Sequence, residues 1–326
     1  MKNPYLIRME EQEDLVRASD SAGVYYRMFH DPVTGRQKNE LDCMQFHVPE
    51  TRMINYHEHT KGTETFFISQ GKFLTNCMGR GFVMGAGDIL HIQPWMGHSF
   101  MPIEPESRLN IMFMDIDQQY SLTTPRMRLQ ENFPGLFEDP EFQELFKTAN
   151  GSTKARTVPV QDDFPKEQVQ QLRPAGYGIR EHNFAGIRML LKIAKYETEG
   201  VKEVWEHFMK PGFYCKWDNF RPEYRVFYVT GGKLRCWVKT SATEKMEFDA
   251  VAENIIFIPP YNPFGFEVVE EAQMYDMDCG ARLQDLCEEI IAFKAANEGK
   301  SPDMEKLLAM SKEFDFHITD VGYNKE

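Results

Sequence analysis

Three histidines and one glutamate occur at spacings that suit the binding of a single metal ion. His57 and His59 are separated by one residue, Glu64 opens the next apolar run, and His98 follows a turn-forming segment. Alternate side chains of an extended strand point to the same face, so His57 and His59 are predicted to project together. Imidazole nitrogens and a carboxylate oxygen form a good donor set for one divalent transition metal ion, with Mn(II) favoured and Fe(II) or Zn(II) as alternatives.

Strand parity predicts which neighbours share the space around these ligands. If the side chain of His57 faces inward, the side chains two and four positions before it also face inward. In the same way, the side chain two positions after Glu64 and the one two positions after His98 share the face of these ligands. The side chains predicted to bind substrate by this rule are Met53, Asn55, Phe66 and Phe100. They form an apolar, partly aromatic wall, to which Trp95 could add, and such a wall suits a flat ring. His47 and His91 have no partners at ligand spacing, so we interpret them as structural.

The spacing of the first motif resembles that of a known superfamily. The pattern H-x-H, four residues, Glu, six residues, Gly is the first signature of the cupins, and it is complete at His57, His59, Glu64 and Gly71. The second cupin signature is matched at Gly87 and His98, whereas Gln93, Trp95 and Pro102 stand where Pro, Gly and Asn are usual. The resemblance implies a small antiparallel β-barrel that holds a metal ion inside.

An internal repeat predicts a second barrel of the same kind. The run from Tyr224 to Leu234 parallels the run that begins at Glu64, and residues 255–264 parallel the segment that ends at His98. In this register Arg225 replaces Glu64, Asp218 and Phe220 replace the first two histidines, and Phe264 replaces His98. Such a set cannot bind a divalent metal, so the second barrel is predicted to be a scaffold. We interpret His207 as structural.

The resulting prediction is an all-β protein of two antiparallel cupin barrels of the jelly-roll type, also called a double-stranded β-helix. The predicted divisions are an N-terminal barrel with the metal site (1–120), a partly helical linker (121–182), a barrel without metal ligands (183–280) and a helical tail (281–326). A short helix is predicted from Glu10 to Ser19, and Ser301 is predicted as the N-cap of the last helix.

Composition and charge indicate which kinds of molecule the protein is expected to bind. At 326 residues and a formal charge of −13, the chain is an acidic protein, which argues against nucleic acid and against anionic membrane surfaces. No apolar run approaches the length of a membrane span or a signal-peptide core. The six cysteines are scattered without a C-x-x-C pair, which is typical of reduced thiols and a cytoplasmic location. We therefore expect a small-molecule substrate, and the resemblance to cupins implies a homo-oligomer.

Three functions fit such a site. The first is hydrolytic C–C cleavage that opens a small polyoxygenated ring, such as a cyclic 1,3-diketone or a reduced phenol, through an enolate that the metal stabilises. This would be a step in aromatic or polyphenol catabolism, and Glu64 would remain a ligand or move off to act as a base. The second is an Fe(II)-type dioxygenase resembling those that cleave phenolic acids and flavonols, although the gentisate enzymes use three histidines without the glutamate. The third is a cupin that binds a metal or a small molecule without turnover.

The narrow preference for hydrolysis over oxygen-dependent cleavage depends on the sulfur-containing side chains of the first barrel. The strands of the predicted first barrel, from Leu41 to about Asp117, contain eight methionines and two cysteines. Thioethers and thiols beside an oxygen-activating metal invite self-oxidation, which favours redox-silent chemistry. Methionine is also an ordinary core filler, so this preference is a small one.

Overall fold

The protein is described by a computed structural model. Its long described segments are 54–58, 63–113, 132–143, 163–200, 202–218, 225–280 and 282–324, and shorter pieces cover residue 3 and residues 5–8, 15–19, 24–27 and 41–46. The chain divides into two compact units. The N-terminal unit comprises Glu13–Asp31 and Gly35–Gly176, and the C-terminal unit comprises Met1–Gln12, Pro32–Thr34 and Tyr177–Glu326.

The N-terminal unit consists of two antiparallel sheets, as a jelly-roll barrel requires. With strands numbered in chain order, its strands are β2 Leu15–Ser19, β3 Val24–Arg27, β4 Leu41–Phe46, β5 Ile54–His57, β6 Glu64–Gln70, β7 Lys72–Cys77, β8 Arg80–Gly85, β9 Ile89–Ile92, β10 His98–Pro102, β11 Ser107–Phe113 and β12 Leu172–Arg173. One sheet has the order β12-β9-β6-β11-β4-β3-β2, and the other has the order β5-β10-β7-β8. The two sheets enclose a core that includes Phe66, Phe73 and Phe100.

The C-terminal unit repeats this plan with longer strands. Its strands are β1 Leu6–Arg8, β13 Arg180–Phe184, β14 Ile187–Ile193, β15 Lys202–Met209, β16 Phe213–Trp217, β17 Arg225–Lys239, β18 Lys245–Val251, β19 Asn254–Ile258, β20 Phe264–Cys279 and β21 Ile318–Tyr323. β17 and β20 pair along most of their length with irregularities near Gly231, so their two halves serve the two sides of the barrel. β1 pairs with β19, which assigns the start of the chain to this unit.

Matching turns support the internal repeat. Gly71 and Gly232 end the first strand halves of the two units with φ values of +75° and +74°, a conformation that favours glycine. Asp88 accepts a hydrogen bond from the backbone N–H of Gly85 at 2.9 Å, and Asn254 accepts one from Val251 at 3.1 Å. The same turn therefore recurs after the β8 and β18 strands.

Two helices and a last strand follow the second barrel. Helix α1 spans Leu283–Ala296 and helix α2 spans Met304–Glu313, and both lie within the segment predicted as a helical tail. The buried α1 residues Leu283, Leu286, Cys287 and Ile290 belong to the core of the C-terminal unit. β21 then pairs with β16, so the tail ends as part of the barrel.

Short 3-10 helices precede the C-terminal unit along the chain. They span Pro134–Glu138 and Lys166–Gln168, within the segment predicted as a partly helical linker. Another short turn of this type, Lys195–Glu197, follows β14.

Two local predictions are wrong. The predicted helix from Glu10 to Ser19 is strand β2 over Leu15–Ser19, because pairing with β3 outweighs the weak helix propensity there. Residues 10–14 lie outside the described residues. The N-cap of α2 is Asp303 instead of Ser301, since its side chain accepts a hydrogen bond from the backbone N–H of Lys306 at 2.8 Å.

A buried carboxyl pair holds the start of α1. Glu203 on β15 and Asp278 on β20 are opposite each other in the sheet. Glu203 accepts hydrogen bonds from the Gln284 backbone N–H at 2.9 and 3.1 Å, and Asp278 accepts one from Leu283 at 3.3 Å. Burial and then the charge of Asp278 raise the pKa of Glu203 well above its ordinary value of 4.5.

The raised pKa predicts a pH-dependent effect of Glu203→Gln. The folded protein retains a proton on Glu203 that the unfolded chain releases above about pH 4.5, so this group loses stabilising effect as the pH rises through its folded pKa. Glutamine keeps an acceptor for the Gln284 N–H and has no proton to release. Denaturant unfolding at several pH values should show the stability of the variant, relative to wild type, increasing with pH. A difference that stays constant or shrinks would contradict the raised pKa.

Candidate metal centre

Three of the four predicted ligands meet inside the N-terminal barrel. His57 is the last residue of β5 and His98 is the first residue of β10, and the two are opposite each other in the antiparallel pair. Glu64 is the first residue of β6 in the other sheet. The strand ends of both sheets therefore bring the three side chains to the same part of the barrel.

The donor atoms of these three residues form a compact group. One ligand atom from each of His57, Glu64 and His98 lies within 4.8 Å of the others, and no other such group is found in the described part of the chain. His98 is fully buried and Glu64 is nearly so, whereas His57 is half-buried. His59, the fourth predicted ligand, lies outside the described residues.

The hydrogen bond of His98 determines what its second nitrogen can bind. His98 Nδ1 lies 3.0 Å from the carbonyl oxygen of Met96, and because a carbonyl only accepts, Nδ1 carries a hydrogen and donates it. In the neutral ring Nε2 is then an acceptor, and it lies 3.1 Å from Glu64 Oε2. An ionised carboxylate is also an acceptor, so a proton or a cation must lie between these two atoms. A divalent metal ion satisfies both, and this donor set therefore fits one.

Aromatic side chains pack behind the ligands. The ring centroid of Phe66 lies 5.2 Å from that of His98 and 4.4 Å from that of Phe100, and His57 and His98 are 4.4 Å apart. Phe66 and Phe100 are both 1% exposed, so they close the interior side of the site. The parity argument thus places these two rings on the ligand side of the barrel.

The other predicted contact residues are placed differently or not described. Asn55 lies in β5 without a described side chain, and Met53 lies outside the described residues. Trp95 is 59% exposed and so does not belong to the buried wall. His91 is buried and its Nδ1 lies 2.8 Å from Thr65 Oγ1, in keeping with a structural role, and His47 lies outside the described residues.

Sequence reasoning missed two neighbours of the site. Met96 contributes through its carbonyl group, which no residue-type pattern reveals. Cys77 on β7 is opposite His98 on β10, so the two side chains share the interior face. Burial raises the pKa of the Cys77 thiol to about 11, against a lowering effect of Arg80. The pairing of β7 with β10 could have predicted Cys77, whereas its position in the sequence alone could not.

The C-terminal unit has different residues at the corresponding positions. Trp217 is opposite Phe264 in the β16–β20 pair, as His57 is opposite His98 in the first unit. The predicted register, which put Asp218 in the place of His57, is therefore wrong by one residue; Phe220 lies outside the described residues. Trp217 and Phe264 stack with ring centroids 4.7 Å apart and an interplanar angle of 12°.

A guanidinium group occupies the interior of this second barrel. Arg225, in the place of Glu64, donates from Nε to Asp276 Oδ1 at 2.8 Å and from Nη2 to Asp276 Oδ2. Its Cζ lies 4.6 Å from the ring centroid of Phe316, 4.9 Å from that of Trp217 and 5.0 Å from that of Phe227. Burial alone would lower the pKa of Arg225, but the charge and hydrogen bonds of Asp276 raise it. The protein thus supplies its own cation here.

His207 lies in the same interior and is neutral. Its Nε2 is 3.5 Å from Asp276 Oδ2. Burial and then the charge of Arg225 lower the pKa of His207 to about 3. A neutral, enclosed imidazole beside an existing ion pair is consistent with the structural interpretation of this residue.

Solved structures with the same architecture were found, whereas a scan of family models and a search of curated proteins returned no match. A mutant of oxalate decarboxylase from Bacillus subtilis with one serine replaced by alanine is 13% identical, with 98% of this chain and 89% of that chain covered and a TM-score of 0.52. Another variant of the same enzyme, with one tryptophan replaced by phenylalanine, is 14% identical, with 98% and 89% coverage and a TM-score of 0.52. The 11S globulin of Wrightia tinctoria, reported with an auxin-binding site, is 12% identical, with 86% and 84% coverage and a TM-score of 0.53.

These similarities concern the fold. Identities of 12–14% carry no information on substrate, and the neighbours include both a decarboxylase and a globulin. Among the described residues, no helix is both long enough and apolar enough to cross a bilayer. The chain is therefore an all-β protein with the cupin fold, and its N-terminal barrel contains a candidate metal site.

Proposed function

We propose that this protein is a metal-dependent hydrolase that opens the ring of a small cyclic 1,3-diketone or a reduced phenol by C–C cleavage. His57, Glu64 and His98 would hold one divalent ion, for which Mn(II) is the favoured choice, and His59 would complete the ligand set. The observation that carries the proposal is the group of N and O ligand atoms of His57, Glu64 and His98, which lie within 4.8 Å of one another, with His98 Nε2 only 3.1 Å from Glu64 Oε2.

The bound ion would act as a Lewis acid for the oxygen atoms of the substrate. The chain itself would orient and shield the reacting groups. The hydrogen bond to Met96 fixes the ring of His98, and the rings of Phe66 and Phe100 exclude water from the interior side. A flat, apolar ring with polar oxygens at one edge matches such surroundings.

Glu64 would carry the proton in this reaction. Water adds its hydroxyl group to one carbonyl carbon of the ring, and the bond from that carbon to the neighbouring ring carbon breaks. The former carbonyl becomes a carboxylic acid, and the released carbon takes up the proton. Glu64, itself one of the three residues of the ligand group, would move off the ion to receive this proton from water and return it to carbon.

The sulfur of Cys77 favours hydrolysis over oxygen chemistry. Cys77 is opposite His98 on the neighbouring strand and faces the same interior. Sulfur groups beside an oxygen-activating ion invite oxidation, but the burial and the raised pKa of Cys77 slow this reaction, so the preference for hydrolysis is a narrow one. A ring-cleaving dioxygenase with Fe(II) is therefore the second candidate, and a cupin that binds a metal or small molecule without turnover is the third.

An anaerobic assay distinguishes the candidates. Purified protein loaded with Mn(II) or Fe(II) would be incubated without oxygen with cyclohexane-1,3-dione or with catechol. Ring-opened acid formed without oxygen, with one oxygen atom derived from isotopically labelled water, is the expected result. Oxygen consumption in proportion to substrate would contradict hydrolysis and favour the dioxygenase. Binding of metal with no product from either substrate would favour the non-catalytic candidate.

The proposal also states what the protein binds. We expect a small-molecule substrate and a homo-oligomer, and we expect no binding to nucleic acid or to membranes. Sedimentation of the metal-loaded protein measures the oligomeric state directly, and a monomer at all concentrations would refute that part.

A further inference from the structure

We propose that Tyr56 is a positioning residue of the candidate metal centre. Its phenol ring packs against Gly97 and so holds the turn whose Met96 carbonyl orients the imidazole of His98. The inference rests on the metal site of the proposed function, but it does not depend on which reaction that site performs.

Gly97 is the residue that allows this contact. It is buried, and a Cβ added to it would lie 2.2 Å from the hydroxyl oxygen of Tyr56, 2.4 Å from its Cζ and 2.6 Å from its Cε1. Its backbone does not have the left-handed φ that favours glycine at Gly71 and Gly87. The glycine is therefore explained by space, because any side chain at this position would displace the phenol ring or the turn.

Two contacts hold the turn at Gly97. Its carbonyl accepts a hydrogen bond from the backbone N–H of Met78 at 2.8 Å, and its Cα lies against the phenol of Tyr56. With the turn in this place, the carbonyl oxygen of Met96 lies 3.0 Å from Nδ1 of His98. A movement of Gly97 would change the direction of that carbonyl, because the two residues share one planar peptide group.

The hydrogen bond to Met96 determines how His98 meets the metal ion. It leaves Nε2 as the acceptor that lies 3.1 Å from Glu64 Oε2, and hydrogen bonds of this kind fix the orientation of a metal-binding imidazole. Tyr56 also immediately precedes His57, which is opposite His98 in the β5–β10 pair. A single phenol ring therefore connects the strand of one histidine ligand with the turn that orients the other.

Substitutions on either side of the contact should weaken metal binding. Gly97→Ala places a methyl group within 2.6 Å of three atoms of the phenol, so the ring or the turn must move. Tyr56→Ala removes the ring and leaves the turn without support on that side. Loss of a group that orients a metal ligand lowers metal affinity by about 10–100-fold, so each variant should raise the Kd for Mn(II) by about that factor.

Two further variants test the contact itself. In the double variant Gly97→Ala with Tyr56→Ala, the added methyl group has room, so the rise in Kd should be smaller than the product of the two single effects. Tyr56→Phe keeps the ring against Gly97 and should bind Mn(II) nearly as tightly as wild type.

The second unit contains a matched control. Gly265 follows Phe264, the counterpart of His98, and a Cβ added to it would lie 2.7 Å from Cζ2 of Trp237 and 2.8 Å from its Cε2 and Nε1. Gly265→Ala thus creates the same kind of clash between a glycine and an aromatic ring, in the unit without the candidate site. It should lower the denaturant midpoint of unfolding while leaving the Kd for Mn(II) unchanged.

The measurement needs no turnover. The metal-free full chain is titrated with Mn(II), and the electron paramagnetic resonance signal of the free ion gives the Kd. Denaturant unfolding in the presence of a chelator shows that each variant is folded under the conditions of the titration.

The outcomes separate this inference from the proposed reaction. Folded Gly97→Ala and Tyr56→Ala variants that bind Mn(II) as tightly as wild type would overturn the inference and leave the hydrolase standing. An equal rise in Kd in Gly265→Ala would assign the effect to general destabilisation and also overturn it. The expected pattern of Kd values in a protein that opens no ring would support the inference while refuting the hydrolase.

Discussion

Glu64→Gln is expected to lose bound metal and to slow ring opening by on the order of 10³-fold, since Lewis-acid stabilisation contributes several kcal/mol. The variant removes the only carboxylate from the group formed with His57 and His98. A neutral amide oxygen is a poorer ligand for a divalent ion than a carboxylate. Metal analysis after dialysis and a steady-state assay measure the two effects.

The same substitution should stabilise the metal-free protein. Where neither atom carries a proton, His98 Nε2 and Glu64 Oε2 are two acceptors only 3.1 Å apart in the metal-free wild type. The amide of glutamine can donate a hydrogen bond to Nε2, which a carboxylate without a proton cannot, and such a bond contributes about 1 kcal/mol. Denaturant unfolding in the presence of a chelator should therefore show a more stable variant.

Loss of bound metal together with a higher stability in chelator distinguishes a metal site from a structural ion pair. If Glu64 and His98 were only a structural pair, the variant would be less stable in chelator and its metal content would match that of wild type. Glu104→Gln, which alters an exposed carboxylate paired with Lys72 in the same unit, serves as the control and should change neither property. Unchanged metal content in Glu64→Gln would refute the candidate site.

Arg225→Met is expected to destabilise the protein by about 3–5 kcal/mol, because breaking a buried ion pair leaves an uncompensated charge. Asp276 is fully buried and receives two hydrogen bonds from the guanidinium group. Methionine fills the volume of the aliphatic part of Arg225, but it carries no charge and donates no hydrogen bonds to Asp276. The cation–π contacts with the rings of Trp217 and Phe316 are also lost. Denaturant unfolding measures the change.

The double variant Arg225→Met with Asp276→Leu is the matched control. Removing both charges leaves an apolar interior, so most of the lost stability should return. Metal content should remain that of wild type in both variants, because the candidate site lies in the other unit. A single variant as stable as wild type would show that the guanidinium contributes no net stabilisation. Metal loss in the double variant would contradict the assignment of the site to the N-terminal barrel.

Short-range spacing determined most of what the sequence predicted correctly. The alternation of side chains along a strand placed Glu64, Phe66 and Ile68 on one face, and Phe66 and Ile68 are indeed in the core behind the ligands. The internal repeat predicted two similar β-units, and Gly71 and Gly232 indeed share a left-handed conformation. These features are local, because pleating and turn geometry act over a few residues.

Pairing between distant strands decided the rest. Trp217, instead of Asp218, corresponds to His57 because β16 is aligned with β20, and a shift of one residue reverses the face of every side chain. The Met96 carbonyl and the position of Cys77 opposite His98 also depend on strands that come together only in the folded chain. The sequence by itself thus determined the types of ligand and their period, whereas tertiary structure decided which atoms face one another, because register is fixed by packing over the whole sheet.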